Sequence, residues 1–307
     1  MKKLLLISTF LVMLFASALT FAVDIGVVLP TNVEPRWVQD ETRFKEALKD
    51  TKYTVEILFS QGSPATERQN VEALVAKGAK VIIICPHDAV AAAASAEVAK
   101  KAGAYVISYD RLIMGTDAVD YYVTFDSVEV GKAWGNFLIQ NVKKGTKGNP
   151  LYLYAGALSD NNSFLFFQGA WEALQPKIFD GTFRVINSSE AVKLMNKKNL
   201  TRDEMARIIG QVTTNWDFNV AKRKAEDDLT KAKTTDKGTV YILAPNDGTA
   251  RAIADAFRAD KAVKQYFITG QDAEKASVQY IIDGKQSMTV FKDVRLLVKD
   301  SINAAQL

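Results

Sequence analysis

The segment KVIIIC, residues 80–85, is followed by the alanine-rich stretch Ala89–Ala102 and then by a second apolar run, Ala104–Tyr109. The two apolar runs are short and do not alternate with polar residues, which is typical of strands that are covered on both faces. The stretch between them has the length and composition of a helix. A strand, a helix and a strand in this order predict a crossover within a parallel sheet. We therefore expect an α/β fold.

The same alternation continues on both sides of this segment. Seven further apolar runs are predicted as strands: Ile25–Pro30, Thr54–Phe59, Val119–Phe125, Leu151–Tyr154, Phe183–Ile186, Thr239–Ala244 and Tyr266–Thr269. Ser287–Phe291 is predicted as one more strand, and Glu190–Gly210 as a helical insertion. The pattern predicts two doubly wound parallel-sheet lobes. We assign residues 23–124 and 292–307 to the first lobe and residues 125–291 to the second.

The first 22 residues are typical of a secretory signal peptide. Lys2 and Lys3 precede a long apolar run, and small residues allow cleavage after Ala18 or Ala22. The alternative is an uncleaved anchor, because about 20 uncharged residues can span a bilayer. Strand-like sequence begins almost at once after the apolar run, which favours cleavage. We expect a periplasmic protein.

Composition excludes several classes of protein. The 39 basic and 35 acidic residues are mixed throughout the chain, so no basic patch indicates a nucleic-acid partner. Cys85 is the only cysteine and lies within an apolar run, which predicts a small buried side chain. His87 is the only histidine, and no phosphate-binding loop, GxGxxG motif or GxSxG motif is present. We therefore predict no catalytic residues, no metal and no cofactor.

Polar or charged side chains follow six of the predicted strands. In open parallel sheets, ligands bind beyond the carboxyl ends of the strands. The residues found there are Arg36-Trp37, Asp110-Arg111, Ser159-Asp160-Asn161-Asn162, Asn246-Asp247, Gln271-Asp272 and Lys292. Each is weak evidence alone, since an Asp-Arg pair can be a loop salt bridge and Asp160 or Asn246 can be a helix cap. Their recurrence at six strand ends predicts a ligand site.

This mixture of groups suits a sugar. A sugar hydroxyl both donates and accepts hydrogen bonds, so carboxylates, amides and cationic side chains can all pair with it. The apolar face of a sugar ring packs on an aromatic plate, for which Trp37 and Trp216 are candidates. The alternative is a sugar-modifying enzyme of the dehydrogenase class on a similar α/β layout.

Several of these segments resemble the periplasmic sugar-binding proteins of ABC importers, in particular the xylose-binding and multiple-sugar-binding receptors. The segments that carry the resemblance are Arg36-Trp37, Tyr109–Leu112, Val123–Asp126, Ser159–Asn162, Gly270–Glu274 and Val290–Lys292. They cover nearly the whole chain after residue 22, in order. The resemblance implies a type I periplasmic binding fold with ligand contacts from Arg36, Asp110, Arg111, Asn162, Asn246, Asp272 and Lys292, and a stacking tryptophan, Trp216.

The resemblance also implies the partners. We expect a monomer that binds an aldopentose or aldohexose such as xylose, glucose or galactose and delivers it to an ABC permease in the inner membrane, with a chemoreceptor as a further partner. The family runs several tens of residues further, through a third crossing strand and a last strand of the second lobe. The resemblance therefore implies a shortened C-terminus.

Overall fold

The computed structural model describes residues 22–306, so nearly all of the predicted signal peptide lies outside the described residues. Residues 25–123 form a first sheet of five parallel strands in the order β2-β1-β3-β4-β5. The strands are β1 (Ile25–Leu29), β2 (Val55–Phe59), β3 (Val81–Ile84), β4 (Tyr105–Tyr109) and β5 (Tyr121–Val123). The connecting helices are α1 (Pro35–Leu48), α2 (Pro64–Ala76) and α3 (Ala93–Lys101).

A second sheet of four parallel strands follows, in the order β7-β6-β8-β9. Its strands are β6 (Asn149–Leu153), β7 (Phe183–Val185), β8 (Gly238–Leu243) and β9 (Val263–Ile268). Its helices are α4 (Ser127–Gln140), α5 (Asn161–Phe179), α6 (Ser189–Lys193), α7 (Arg202–Val212), α8 (Phe218–Lys231), α9 (Asp247–Ala259) and α10 (Lys275–Ile282). The predicted α/β class with two doubly wound parallel sheets is confirmed.

The last helix, α11 (Val294–Ala305), returns to the first sheet. It packs against α1, β4 and β5, and its buried Leu297 and Val298 belong to the same apolar core as Phe44 and Ile83. This packing supports our proposal that residues 292–307 complete the first lobe. Within residues 22–306 we find no helix with both the length and the apolarity to cross a bilayer.

The strand order reverses direction once in each sheet, between β1 and β3 and between β6 and β8. Loops on the two sides of such a reversal leave in opposite directions and open a crevice at the carboxyl edge of the sheet. β1 and β3 are fully buried, as their unbroken apolar sequences predict. The crevices of the two sheets are therefore the places where polar side chains can gather over an apolar base.

One predicted strand is wrong. Ser287–Phe291 forms only an isolated bridge, in which Val290 pairs with Gln271. The Ser287 hydroxyl accepts the hydrogen bond of the Ile268 amide at 2.9 Å, in the place where a neighbouring backbone carbonyl would stand in a ladder. Gln286 also bonds through its side chain to the Met288 carbonyl. Backbone pairing is confined to Val290, whose amide donates to the Gly270 carbonyl and whose carbonyl accepts the Asp272 amide, both at 2.9 Å. The predicted insertion is likewise two separate helices, α6 and α7.

Helices α4 and α5 cross at very short range through two glycines. A Cβ atom at Gly131 would lie 2.0 Å from the Phe166 carbonyl oxygen, and one at Gly169 would lie 1.9 Å from the Val128 carbonyl oxygen. Each glycine thus meets the backbone of the other helix, which cannot move aside as a flexible side chain can. Because α5 begins at Asn161, this crossing also fixes the position of its polar amino end.

We expect Gly169→Ala to lower the stability of the protein. Alanine is the better helix former by about 1 kcal/mol, but overpacking costs about 1–3 kcal/mol or more, and here the clash is with rigid backbone. The matched control is Gly210→Ala in α7, where the nearest atom would be 3.9 Å from the new Cβ. Thermal unfolding should show a lower Tm for the first variant and an unchanged or higher Tm for the second. Equal Tm values would contradict this account of the crossing.

Candidate ligand-binding site

The Arg36 guanidinium joins the two sheets at the centre of the crevice. Its Nε and Nη2 atoms lie 2.7 and 3.3 Å from the two carboxylate oxygens of Asp40, one turn further along α1. Nη2 also donates to Asp110 Oδ2 at 2.8 Å, and Nη1 donates to Asp272 Oδ1 at 3.1 Å. Asp110 follows β4 and Asp272 follows β9. One buried arginine therefore binds carboxylates from both halves of the molecule.

Asp40 anchors this arginine. The Asp40 carboxylate is fully buried and accepts a further hydrogen bond from the Tyr109 hydroxyl. Burial raises the pKa of Asp40, and the neighbouring Arg36 opposes the rise. A buried charge is costly unless it is paired and hydrogen-bonded. Arg36 is thus held in one geometry before any ligand arrives.

Lys292 is the second cation of this cluster. Its Nζ atom lies 3.2 Å from Asp272 Oδ1 and 3.9 Å from Asp110 Oδ2. The ammonium group lies 5.5 Å from the ring centroid of Phe125 and 5.7 Å from that of Phe166, distances at which a cation is attracted to an aromatic ring. Lys292 is buried although the strand predicted before it is absent, because the bridge at Val290 still directs the chain into the crevice.

Arg111 makes the second cationic contact between the halves. Its Nε atom lies 3.0 Å from Asp160 Oδ2, at the start of α5. Its Nη1 atom donates to the Pro86 carbonyl at 3.4 Å. Arg111 and Arg36 each place their guanidinium carbon 5.0 Å from the ring centroid of Trp37. Trp37 therefore packs against both arginines, which restricts how either can turn.

Asp160 caps α5 and lines the cavity, and Asn162, in the first turn of that helix, lines the same cavity. Asp160 Oδ1 accepts the Asn162 amide and caps α5, while Oδ2 faces Arg111. The Asn162 side-chain amide donates to the Asp110 carbonyl at 2.9 Å, a contact from the second half to the first. Asp160 is thus the cap of α5, and its role in ligand binding stays a prediction.

Asn246 follows the same pattern at α9. Its side-chain oxygen accepts hydrogen bonds from the Thr249 amide at 3.2 Å and the Thr249 hydroxyl at 2.5 Å. The oxygen is thus used by the cap, and the amide NH₂ group remains as the part of Asn246 that can donate to a ligand. This orientation follows from the capping bonds, because only the oxygen can accept them.

Trp216 depends on a glycine that the sequence analysis did not single out. A Cβ atom at Gly156 would lie 2.0 Å from Trp216 Cζ2, so only glycine allows the indole ring to lie where it does. Phe166 meets the indole edge-on, with 6.3 Å between the ring centroids. The indole is buried, and within residues 22–306 its Nε1 atom has no hydrogen-bond partner.

Three residues of the site have left-handed backbone conformations. The φ angles are +59° at Asp110, +61° at Trp216 and +96° at Asp272. Such conformations are uncommon outside glycine and cost of the order of 1–3 kcal/mol each, and they persist only where the surrounding structure holds them. Their concentration at one crevice supports the prediction of a ligand site there, independently of the residue types.

The structure brings all ten predicted site residues to the wall of one cavity between the two halves. Three further residues line it that the sequence analysis did not name as ligands: Glu34, Phe166 and Gln271. Gln271 was visible as the neighbour of Asp272 and Phe166 as the residue four after Asn162, but no pattern singled out Glu34.

The charges of the cavity are almost balanced. Three cations, Arg36, Arg111 and Lys292, face the aspartates Asp40, Asp110, Asp160 and Asp272. Burial disfavours the charged form of Asp110, but Lys292 and Arg36 outweigh it and lower the pKa to about 2. Burial raises the pKa of Glu34 to about 7, with Arg111 opposing. A wall so neutralised favours a polar ligand without net charge.

Neither the histidine nor the cysteine of the chain lines the cavity. His87 does not line the cavity, and burial lowers its pKa. Cys85 is buried, and burial raises the pKa of its thiol well above the usual value. Among the described residues no cluster of His, Cys, Asp and Glu side chains is arranged to hold a metal ion.

The comparisons with known proteins agree with this geometry. The periplasmic binding protein domain family matches residues 25–307. A carbohydrate transporter solute-binding protein from Chloroflexus aurantiacus, solved in complex with D-glucose, is 71% identical. The match covers 93% of this chain and 83% of that one, with a TM-score of 0.90.

Two more distant relatives are similar over most of their length. An ABC transporter solute-binding protein from Clostridium phytofermentans, solved with bound β-D-glucose, is 30% identical, with a TM-score of 0.79 and coverage of 91% of this chain and 82% of that one. The multiple sugar-binding periplasmic receptor ChvE of Rhizobium radiobacter is 31% identical over 296 residues, 92% of this chain and 79% of the receptor.

We expect Asp40→Asn to destabilise the protein by about 3 kcal/mol. Removing one partner of a buried ion pair costs about 3–5 kcal/mol, and Arg36 would keep its two other carboxylates. The matched control is Glu46→Gln on the same helix, which breaks the exposed pair with Arg43 and should cost about 1 kcal/mol or less. Denaturant unfolding of both variants measures the difference. Similar losses would show that Arg36 does not depend on Asp40.

Asp247 is a buried carboxyl group close to the site residue Asp272. Asp247 is fully buried, accepts hydrogen bonds from Gln286 Nε2 at 2.9 Å and from the Glu274 amide at 2.8 Å, and is repelled by the nearby Asp272. Burial, together with that repulsion, raises the pKa of Asp247 to about 7. Folding therefore favours the protonated form of this group.

We expect the free energy of unfolding to decrease as the pH rises from about 4 to 7. A carboxyl group whose pKa is raised on folding contributes stability that is fully present below its unfolded pKa and is lost as the pH rises through its folded pKa. For Asp247 this window extends from about pH 4 to pH 7. Asp247→Asn, which mimics the protonated form, should flatten the decrease, as unfolding at several pH values would reveal. An unchanged slope would contradict the raised pKa.

Proposed function

Since the chain belongs to the periplasmic binding protein domain family, we propose that it is a binding protein for a neutral monosaccharide and supplies that sugar to an ABC importer. The ligand class is an aldopentose or aldohexose such as xylose, glucose or galactose. The observation that carries the proposal is the cavity around Arg36, whose polar groups come from both halves of the molecule and whose charges nearly cancel. D-Glucose is the first ligand to test, because the similar protein from Chloroflexus aurantiacus was solved with it.

The mechanism follows from the contacts between the halves. Arg36 with Asp272, Arg111 with Asp160 and Asn162 with Asp110 all cross the crevice. The Ala89 amide also donates to the Ser159 carbonyl at 2.8 Å. These contacts describe a closed form. A sugar that bonds to groups on both sides shifts the equilibrium towards closure by the difference between its affinities for the closed and open forms.

We extend the proposal to the fate and partners of the sugar. The protein acts as a monomer in the periplasm after cleavage of residues 1–22, returns the sugar chemically unchanged, and in its closed form docks on the inner-membrane permease and on a chemoreceptor. The pairing of Arg36, Arg111 and Lys292 with carboxylates supports binding without reaction, because these charged groups are already committed to one another. Recovery of a modified sugar after incubation would favour the sugar-modifying enzyme instead.

We expect wild-type protein to bind at least one sugar of a pentose and hexose panel and to unfold at a higher temperature in its presence. Binding to the native state alone raises the apparent stability by an amount set by the ratio of ligand concentration to Kd. Thermal-shift measurements with glucose, galactose, xylose and arabinose, with a charged sugar acid as a comparison, rank the ligands. No shift with any neutral sugar would overturn the proposed function.

We expect Asp110→Ala to weaken sugar binding at least tenfold, which corresponds to about 1.4 kcal/mol. The variant removes a buried acceptor and leaves Arg36 and Lys292 without one of their carboxylates. The matched control is Asp117→Ala in the loop that follows, where the side chain is exposed. Calorimetric titration should give an unchanged Kd for the control. Equal affinities of the two variants would remove Asp110 from the site.

A further inference from the structure

Gln271 lies beside Asp272 on the second half of the cavity and is held by its backbone on two sides. Its carbonyl accepts the Asp247 amide at 3.1 Å, and the residue forms a bridge with Val290. The residue is only 2% exposed and lines the cavity. A side chain so enclosed cannot exchange its partners with bulk water.

The orientation of the Gln271 amide is fixed by its one hydrogen bond. Nε2 donates to the Pro245 carbonyl at 2.9 Å, and only the NH₂ end of the amide can do so. The Oε1 atom of the same amide group therefore points away from the Pro245 carbonyl. It is buried, and no donor among the described residues bonds to it. A buried carbonyl without a partner is unfavourable, so a partner from outside the chain is expected there.

We propose that Gln271 Oε1 accepts a hydrogen bond from one hydroxyl of the bound sugar and makes Gln271 a specificity-determining residue. This inference rests on the proposed function. The carboxylates of the cavity are already paired with cations, whereas this oxygen is neutral and uncommitted. Its fixed position selects a ligand that has a donor at one particular ring position.

The physical consequence is a penalty against sugars that lack that hydroxyl. A site built to bond a hydroxyl group discriminates against the analogue without it, because its own buried group is left unpaired. Trp216 Nε1, also buried and without a partner among residues 22–306, is a donor that lines the same cavity. A hydroxyl-rich ligand can satisfy both the donor and the acceptor.

The test combines Gln271→Met with a series of deoxy sugars. Met keeps the approximate shape of the side chain and removes the acceptor. Calorimetry measures Kd values of wild type and variant for D-glucose and for 2-, 3-, 4- and 6-deoxyglucose, or for the matching analogues of whichever sugar binds best. We expect the variant to bind the parent sugar about tenfold more weakly or worse. For one deoxy analogue, which wild type already binds poorly, the variant should change the affinity little.

The difference between the effect of the variant on the parent sugar and its effect on that one deoxy analogue separates a direct contact from a structural role. Loss of the bond to Pro245 alone would weaken the binding of every sugar by the same factor, and so would a general loss of folding. Equal factors across the series, or unchanged affinity for the parent sugar, would overturn the proposal for Gln271 and leave the proposed function intact. A second variant, Gln271→Leu, should repeat the pattern. If wild type bound no sugar, the proposed function would fail first and this inference with it.

Discussion

The pairing of Arg36 with three carboxylates is the interaction on which the rest of the site depends. Its partners come from α1, from the end of β4 and from the end of β9, so the arginine can satisfy all of them only when the two halves are close together. A buried guanidinium without partners would be strongly unfavourable. The ion pairs of Arg36 therefore stabilise the closed arrangement by themselves, and a bound ligand stabilises it further.

The fold explains why these groups can meet. Each sheet has its strand order reversed once, and the polar residues leave from the carboxyl edge on that side. Helix caps at α5 and α9 place Asp160, Asn162 and Asn246 at fixed angles, and the glycine crossing of α4 and α5 fixes the start of α5. Helix capping and close helix packing thus determine where the side chains of the site lie.

Much of this could be predicted from sequence, because apolar strands and the residues that follow them are local signals. The unbroken runs at Ile25–Leu29 and Val81–Ile84 gave the sheets, and all ten predicted site residues reach one cavity. What could not be predicted depends on tertiary contacts. The strand expected at Ser287–Phe291 is reduced to a bridge at Val290, beside a side-chain hydrogen bond at Ser287. The need for glycine at position 156 appears only once Trp216 is in place.

The charges of the cavity also limit what can bind there. An anionic ligand would compete with Asp110 and Asp272 for the same cations, and a cationic one would compete with Arg36 and Lys292 for the same carboxylates. Each would leave a buried charge unpaired, at a cost of several kcal/mol. A neutral ligand with many hydroxyls need not break any ion pair, because carboxylate and guanidinium groups can each form further hydrogen bonds. Selection for neutral sugars thus follows from pairs that already hold the protein together.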